Sequence, residues 1–150
     1  MLRGFLIISM IALSGLQGCT AKIEDTRPGQ PVKSRQDAFQ EILKVFEPMG
    51  VMLRTRNYEP NRFAALAAEL MTVRDTPWTH FGPDTNYPPT KAQAALGTQM
   101  DEFEEKKSAF LAATEALNIA AQTRNIELAS PAYFKAYETC QSCHDQFKKR

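Results

Sequence analysis

The chain has 150 residues, a length that suits one domain. Its 43% hydrophobic content is enough for one core and too low for a multi-span membrane protein. Its 18 basic and 17 acidic residues nearly balance, and no run of one sign stands out, which argues against a nucleic-acid partner. The apolar pattern is helical nearly throughout, without alternating runs bounded by turns, so an all-α fold is expected.

Residues 1–18 are predicted to be a signal peptide. Arg3 supplies a short positive region, and residues 5–13 form an apolar stretch that is too short to span a bilayer. Arg3 is the only charged residue of this segment, so its removal leaves the mature chain with as many basic as acidic side chains. Export from the cytoplasm is therefore expected.

The segment ends in Leu16-Gln17-Gly18-Cys19. Leu, then a small residue, then Cys resembles the lipobox of bacterial lipoproteins, in which the Cys is acylated and becomes the mature N-terminus. Gln17 departs from the small residue that is usual there, and ordinary cleavage after residue 21 is the alternative. We expect lipidation at Cys19, which would place the protein on the periplasmic side of a bacterial membrane; without the lipid it would be soluble in the periplasm.

Residues 19–33 are predicted to be the lipidated N-terminus and a flexible tether, because residues 20–33 lack apolar periodicity and contain two prolines and a glycine. A first helix is expected to begin near Ser34, a suitable N-cap, which opens a domain over residues 34–150. Pro48 lies inside this helix and should kink or break it. The apolar residues recur at steps of three and four: Phe39, Leu43, Phe46, Met49 and Leu53.

Three further helices follow. The second is predicted over residues 60–74, and the proline-rich stretch 75–90 after it cannot be regular helix. The third is predicted over residues 91–124, because four large apolar residues recur every seven positions, as on a helix packed along a bundle. Ser130-Pro131 reads as the start of the fourth helix, which runs to the C-terminus. These elements predict an antiparallel four-helix bundle. The repeating apolar residues of the third helix are Leu96, Phe103, Phe110 and Leu117.

The sequence Cys140-Gln141-Ser142-Cys143-His144 has the C-x-x-C-H form of the c-type haem attachment motif. Cysteines three apart on a helix point to nearly the same side, so both sulfurs can form thioethers with the two haem vinyl groups. The following His144 can present its imidazole to the iron as the proximal ligand. The motif predicts one covalent haem c, attached after export.

Two other readings of the cysteine pair are open. A redox dithiol of the thioredoxin kind requires a preceding strand, and none is predicted. A zinc site requires four ligands, and only His80 remains to add to the motif. The motif also lacks a neighbouring residue suited to general acid or base work, so turnover of an organic substrate is not expected.

Residues 34–150 resemble the cytochrome c′ family. The resemblance rests on four stretches. The first two are Arg35-Gln36 followed by Phe39, and Pro77-Trp78-Thr79-His80-Phe81-Gly82-Pro83, which is similar to the family's P-W-x-x-F-G-P connection. The other two are residues 103–110 and the C-x-x-C-H motif with Asp145, Gln146, Phe147 and Lys148 behind it. The family commonly has Arg where Lys148 stands, and a shorter-reaching point charge replaces a planar donor there.

The resemblance implies a four-helix bundle with the haem between helices. It also implies that Arg35 and Gln36 contact the haem propionates, although a solvated helix start would explain the same residues. Phe39, one turn after Arg35, would face the iron opposite His144, although a plain core residue on an amphipathic helix is the alternative reading. Low-spin relatives place Met at that position as the sixth ligand, whereas a phenyl ring has no ligand atom. A five-coordinate iron that binds nitric oxide or carbon monoxide is therefore expected.

The remaining candidates have simpler roles. Met49 and Met52 are read as fillers of the core or of an interface, and His80 as a structural or exposed histidine. Trp78 and Phe81 are expected to anchor the proline-rich connection onto the bundle. The resemblance further implies a homodimer formed through the first helices.

Three functions are compared. The first is a gas-binding cytochrome c′ that handles nitric oxide, and the second is an electron carrier with a six-coordinate haem. The third is a structural lipoprotein without haem. Phe39 favours the first over the second, and the C-x-x-C-H motif argues against the third.

Overall fold

The computed structural model describes residues 24–149, so the predicted signal peptide and Cys19 lie outside the described part. Four α-helices form within it: α1 (Pro31–Arg54), α2 (Pro60–Val73), α3 (Met100–Gln122) and α4 (Ile126–Phe147). Each helix packs against the next along the chain, and α1 also touches α4. The predicted all-α four-helix bundle is confirmed. Within residues 24–149 no helix is long and apolar enough to cross a membrane.

Two apolar clusters lie inside the bundle. The main core takes side chains from all four helices, and its fully buried members include Met49, Phe63, Leu70, Leu117 and Tyr133. A smaller group, here called the end cluster, is formed by Leu96, Phe103 and Phe147, with Trp78, Phe81, Ala92, Ala95 and Cys143 packed against it. The heptad residues of the predicted third helix are all buried, as expected.

Helix α1 begins at Pro31, three residues before the predicted start. Its first backbone N–H groups are capped from outside the helix, because the Asp25 carboxylate accepts from Val32 N at 2.9 Å and from Lys33 N at 3.2 Å. Residues 31–33 of the predicted tether therefore belong to the helix. The predicted Ser34 cap belongs to a helix that begins directly after it, which is a recognisable sequence pattern. Asp25 instead lies six residues before Pro31, and a cap at that distance has no such pattern.

The helix continues through Pro48 without a break. Proline removes one backbone hydrogen bond, while burial of neighbouring side chains such as Phe46 and Met49 in the main core holds the helix together. Just beyond it, Gly50 lets α4 approach closely. A Cβ atom at residue 50 would lie 2.1 Å from the Tyr133 hydroxyl oxygen, so only glycine leaves room for Tyr133 to stack on Phe46 at 4.5 Å between ring centroids.

Residues 75–99 form a longer connection than predicted. Short 3₁₀ turns occupy Thr76–His80 and Ala94–Gly97, and α3 starts only at Met100 instead of residue 91. The reason is that residues 91–93 bond to the end of α4 and the residues behind it: Lys149 N donates to Lys91 O at 2.7 Å and Gln93 N donates to Phe147 O at 2.8 Å. The Lys91 carbonyl is thus unavailable for a helix, and the bridge between Ala92 and Lys148 keeps this stretch extended.

Helix α4 begins at Ile126, four residues before the predicted Ser130. The Asn125 side chain caps it by accepting from Glu127 N at 2.9 Å, and Pro131 lies inside the helix. On this helix Tyr133 is buried, whereas Phe134 and Tyr137 are 45% and 41% exposed.

Candidate functional site

The two motif cysteines lie at the junction of the two apolar clusters. Cys140 packs against the main core and Cys143 against the end cluster, and both are free thiols that are partly buried. Burial, followed by the neighbouring Cys143, raises the pKa of Cys140 to about 11. Burial also raises the pKa of Cys143, although Lys106 opposes it. Both sulfurs are therefore protonated at neutral pH.

His144 follows in the last turns of α4. Burial lowers the pKa of its imidazole, the charge of Lys148 lowers it further, and Asp145 opposes both. A neutral imidazole keeps a lone pair available, which is the form that binds a metal. The backbone oxygen of His144 accepts from Lys148 N at 3.1 Å, which closes the helix directly behind the motif.

Helix α3 and the connection hold this end of α4. Lys106 donates from Nζ to Ser142 Oγ, inside the motif, at 2.7 Å. Gln146 donates from Nε2 to Gln99 Oε1 at 3.1 Å. Sequence reasoning did not single out either partner on the α3 side, because a lysine or glutamine on a helix carries no signal of what it will meet across the bundle.

A group of aromatic rings, here called the aromatic wall, adjoins the end cluster against which Cys143 packs. It consists of Phe39, Trp78, Phe81, Phe103 and Phe147. Phe39 meets the Trp78 ring edge-to-face at 5.5 Å and the Phe81 ring at 6.3 Å between centroids. Trp78 in turn meets Phe103 at 6.1 Å, and Phe103 meets Phe147 at 5.5 Å. The predicted anchoring of the connection by Trp78 and Phe81 is confirmed. Trp78 is fixed further by its indole N–H, which donates to Arg74 O at 2.8 Å.

Arg35 lies beside this wall and is only 4% exposed, so the reading as a solvated helix start is wrong for it. Its terminal nitrogens donate to four neutral oxygens: His80 O at 3.3 Å, Thr85 Oγ1 at 3.1 Å, Thr85 O at 3.0 Å and Thr90 Oγ1 at 2.5 Å. The guanidinium also lies 4.7 Å from the centre of the Phe81 ring. Burial lowers the pKa of Arg35. Gln36 donates to Pro89 O at 3.4 Å.

The segment before α1 closes this side of the site. The Tyr87 hydroxyl donates to Asp25 Oδ1 at 2.7 Å, and the Arg27 guanidinium lies 3.8 Å from the centre of the Tyr87 ring. Burial raises the pKa of the Asp25 carboxyl, but hydrogen bonds from Tyr87 and from the backbone of Lys33, Arg27 and Val32 outweigh it, so this pKa lies below its usual value. Sequence reasoning assigned Asp25 to a mobile tether and missed this role.

Three other residues are candidates from the sequence: Met49, Met52 and His80. Met49 and Met52 are buried in the main core, which confirms their reading as core fillers. His80 is partly buried and contributes its backbone oxygen to Arg35. Within residues 24–149 no three His, Cys, Asp or Glu side chains come together as a metal site, so the zinc reading gains no support.

A C-x-x-C-H motif on the last turns of a helix, with its cysteines packed against the apolar clusters of a four-helix bundle, is the arrangement of a c-type cytochrome built on a bundle. Residues 30–148 match the family model described as Cytochrome C'. A cytochrome c' of Cereibacter sphaeroides is 32% identical over 127 residues, covering 78% of this chain and 81% of the relative. The chain belongs to the cytochrome c′ family, whose members bind a covalent c-type haem.

Solved structures agree with this assignment. Cytochrome c prime from Shewanella frigidimarina superposes with a TM-score of 0.78 at 26% identity, covering 83% of this chain and 98% of that one. A nitric oxide complex of a variant cytochrome c prime from Alcaligenes xylosoxidans gives a TM-score of 0.77 at 26% identity, covering 85% of this chain and 100% of that one.

The lowered pKa of Asp25 predicts an acid dependence of stability. A carboxyl with a depressed pKa in the folded state stabilises the fold above its unfolded pKa, and this contribution is lost as the pH falls through the folded pKa. Asp25→Asn should therefore lower the midpoint of urea unfolding near neutral pH, and its difference from the wild type should shrink below about pH 4. The exposed Asp84, changed to Asn, is the control. An equal difference at every pH would contradict the prediction.

Proposed function

We propose that Cys140 and Cys143 hold the family's haem through thioethers and that His144 is its proximal ligand. The observation that carries this is the placement of two free, partly buried thiols against the two apolar clusters on the last turns of α4, with the neutral imidazole of His144 one residue further on. A bound c-type haem would supply an iron able to bind the imidazole of His144 and a small ligand. The protein supplies the thiols, the imidazole and an apolar surround.

Arg35 and Gln36 are proposed to bind the haem propionates. Arg35 is a buried cation whose hydrogen bonds from its terminal nitrogens all go to neutral oxygens. The charge of Asp25 favours the charged form of Arg35 but does not reach hydrogen-bonding distance, so an anionic carboxylate that bonds directly to the guanidinium would further offset the cost of burying this cation. Gln36 lies on the same end of α1 and can donate from its amide.

The open side of the site is assigned to Phe39. Its ring lies against Trp78 and Phe81, and none of these three side chains offers a lone pair suited to iron. Met49 lies ten residues further along α1, about 15 Å away at the rise of an α-helix, and is fully buried in the main core. These features favour a five-coordinate iron over a six-coordinate electron carrier that would need Met49, Met52 or His80 as a ligand.

An apolar pocket of this kind suits a small neutral ligand. A polar ligand would lose its hydrogen bonds there, at a cost of about 1–3 kcal/mol on protein scales. The relatives include a nitric oxide complex, which supports nitric oxide or carbon monoxide as the ligand. The function proposed is a gas-binding cytochrome that handles nitric oxide, transfers electrons, or does both.

The attachment residues are tested by substitution. Replacing Cys140 or Cys143 with alanine should lower haem retention, and replacing both should abolish covalent attachment, because each sulfur provides one thioether. Haem staining of a denatured gel and extraction into acidified organic solvent measure this. Gln141→Ala, which changes an exposed residue of the motif and keeps both thiols, is the matched control. Extraction of the haem from denatured wild-type protein would show that the attachment residues are assigned wrongly.

Phe39 is tested on the reduced protein. The wild type should show the spectrum of a five-coordinate, high-spin haem, since a phenyl ring cannot donate to iron. Phe39→Ala should speed carbon monoxide binding, and Phe39→Met should introduce low-spin, six-coordinate character. Leu43→Met, one turn on and 44% exposed, is the control. A sharp, intense low-spin α-band in the reduced wild type would instead support the electron-carrier function.

A lipid anchor at Cys19 and a homodimer through α1 are also proposed. Cys19 precedes Asp25 by six residues, a span of at most about 22 Å in an extended chain. The exposed apolar side chains of α1, Leu43 and Val51, support the dimer.

Native mass spectrometry of the detergent-extracted protein should give two chains, each acylated at an N-terminal Cys19. An unmodified N-terminus at another residue would exclude the anchor, and a monomer would exclude the dimer.

A further inference from the structure

Asp25 lies outside residues 30–148, the part matched by the family model, yet it is only 3% exposed. Its carboxylate accepts from three backbone N–H groups, of Arg27, Val32 and Lys33, and from the Tyr87 hydroxyl. Charged hydrogen bonds of this kind are about twice as strong as neutral ones. The residue therefore joins the first turn of α1 to the connection between α2 and α3.

A second contact reinforces this junction. Arg27 stacks on the Tyr87 ring and donates to Asp84 O at 3.1 Å. Gln30 donates to Asp25 O at 2.9 Å and fixes the backbone of the segment itself. The segment over residues 25–30 thus contacts the connection at both Tyr87 and Asp84.

The same part of the connection also contacts Arg35 and Phe39 of the proposed site. Thr85 and Thr90, on either side of Tyr87, accept from Arg35. Phe81 lies under the Arg35 guanidinium and against Phe39. Phe39 itself belongs to the helix whose start Asp25 caps. An unbroken chain of contacts therefore runs from Asp25 to the ring assigned to the open side of the iron.

We propose that Asp25 is a positioning residue for this open side. Through Tyr87 it holds the connection against α1, keeps Phe39 packed against Trp78 and Phe81, and so slows the entry of a diatomic ligand. The proposal rests on the proposed function, because it assigns a control on ligand entry at the same site. A simple helix cap would stabilise α1 without affecting the ligand.

The test uses the mature, haem-loaded protein. Tyr87→Phe removes only the hydroxyl and keeps the ring under Arg27, and Asp25→Asn removes the charge. The association rate of carbon monoxide with the ferrous protein is measured by flash photolysis, and amide hydrogen exchange is measured over residues 81–90. Each variant should bind carbon monoxide about three- to tenfold faster and exchange faster, and the double variant should gain less than the product of the two single effects, because both changes weaken the Asp25–Tyr87 contact.

Asn125→Ala is the matched control. It removes the side-chain cap of α4 at the opposite end of the bundle, where Arg124 meets Asn61 of α2. This change should lower the melting temperature while leaving the carbon monoxide rate unchanged. The comparison separates loss of a cap from loss of positioning.

Three outcomes decide the matter. Faster binding in the Asp25 and Tyr87 variants, but not in the Asn125 variant, supports the positioning role. Wild-type rates in both variants, with lowered stability, reduce Asp25 to a helix cap and overturn the proposal while the gas-binding function stands. Failure of the wild type itself to bind carbon monoxide overturns the proposed function, and the role of Asp25 in ligand entry falls with it.

Discussion

The site depends on one constraint: two thiols and an imidazole must share the last turns of a single helix while that helix stays packed. Helix α4 meets the constraint at a seam between two apolar clusters, with Cys140 against the main core and Cys143 against the end cluster. Its end is held by Lys106 on Ser142 and by backbone bonds from residues 91–93. Side chains presented from so fixed an end have little freedom to move, which suits covalent attachment at two points.

The connection between α2 and α3 is the second part of the site, although it contains only short 3₁₀ turns in regular structure. It provides the aromatic rings that face Phe39 and the neutral oxygens that surround Arg35. Irregular segments carry function when a rigid scaffold positions them. Here the scaffold reaches the connection from three directions: from α1 through Arg35, from the segment before α1 through Asp25, and from the end of α4 through the bridge at Ala92.

Phe39 shows how fold and function share one contact. The ring contributes to the packing of α1 on the connection, and the same ring is the one proposed to cover the open side of the iron. Its partners Trp78 and Phe81 are aromatic and apolar, so the surround favours small neutral ligands over charged ones. Under that proposal, a change at this position alters packing and ligand access together, so spectra and binding rates, rather than stability, separate the two effects.

The sequence by itself determined the helical class, the cytochrome c′ resemblance and the C-x-x-C-H motif, because apolar periodicity and motif spacing are local properties of the chain. It misplaced the starts of α1, α3 and α4. Each of those starts depends on a partner supplied from outside the expected helix: Asp25 for α1, the strand-like pairing with residues 147–149 for residues 91–93, and Asn125 for α4. Only the tertiary structure decided that Arg35 is buried, that Lys106 meets Ser142 and that Asp25 binds Tyr87. These contacts join residues 36 to 62 positions apart in the chain, and no local pattern encodes such pairs.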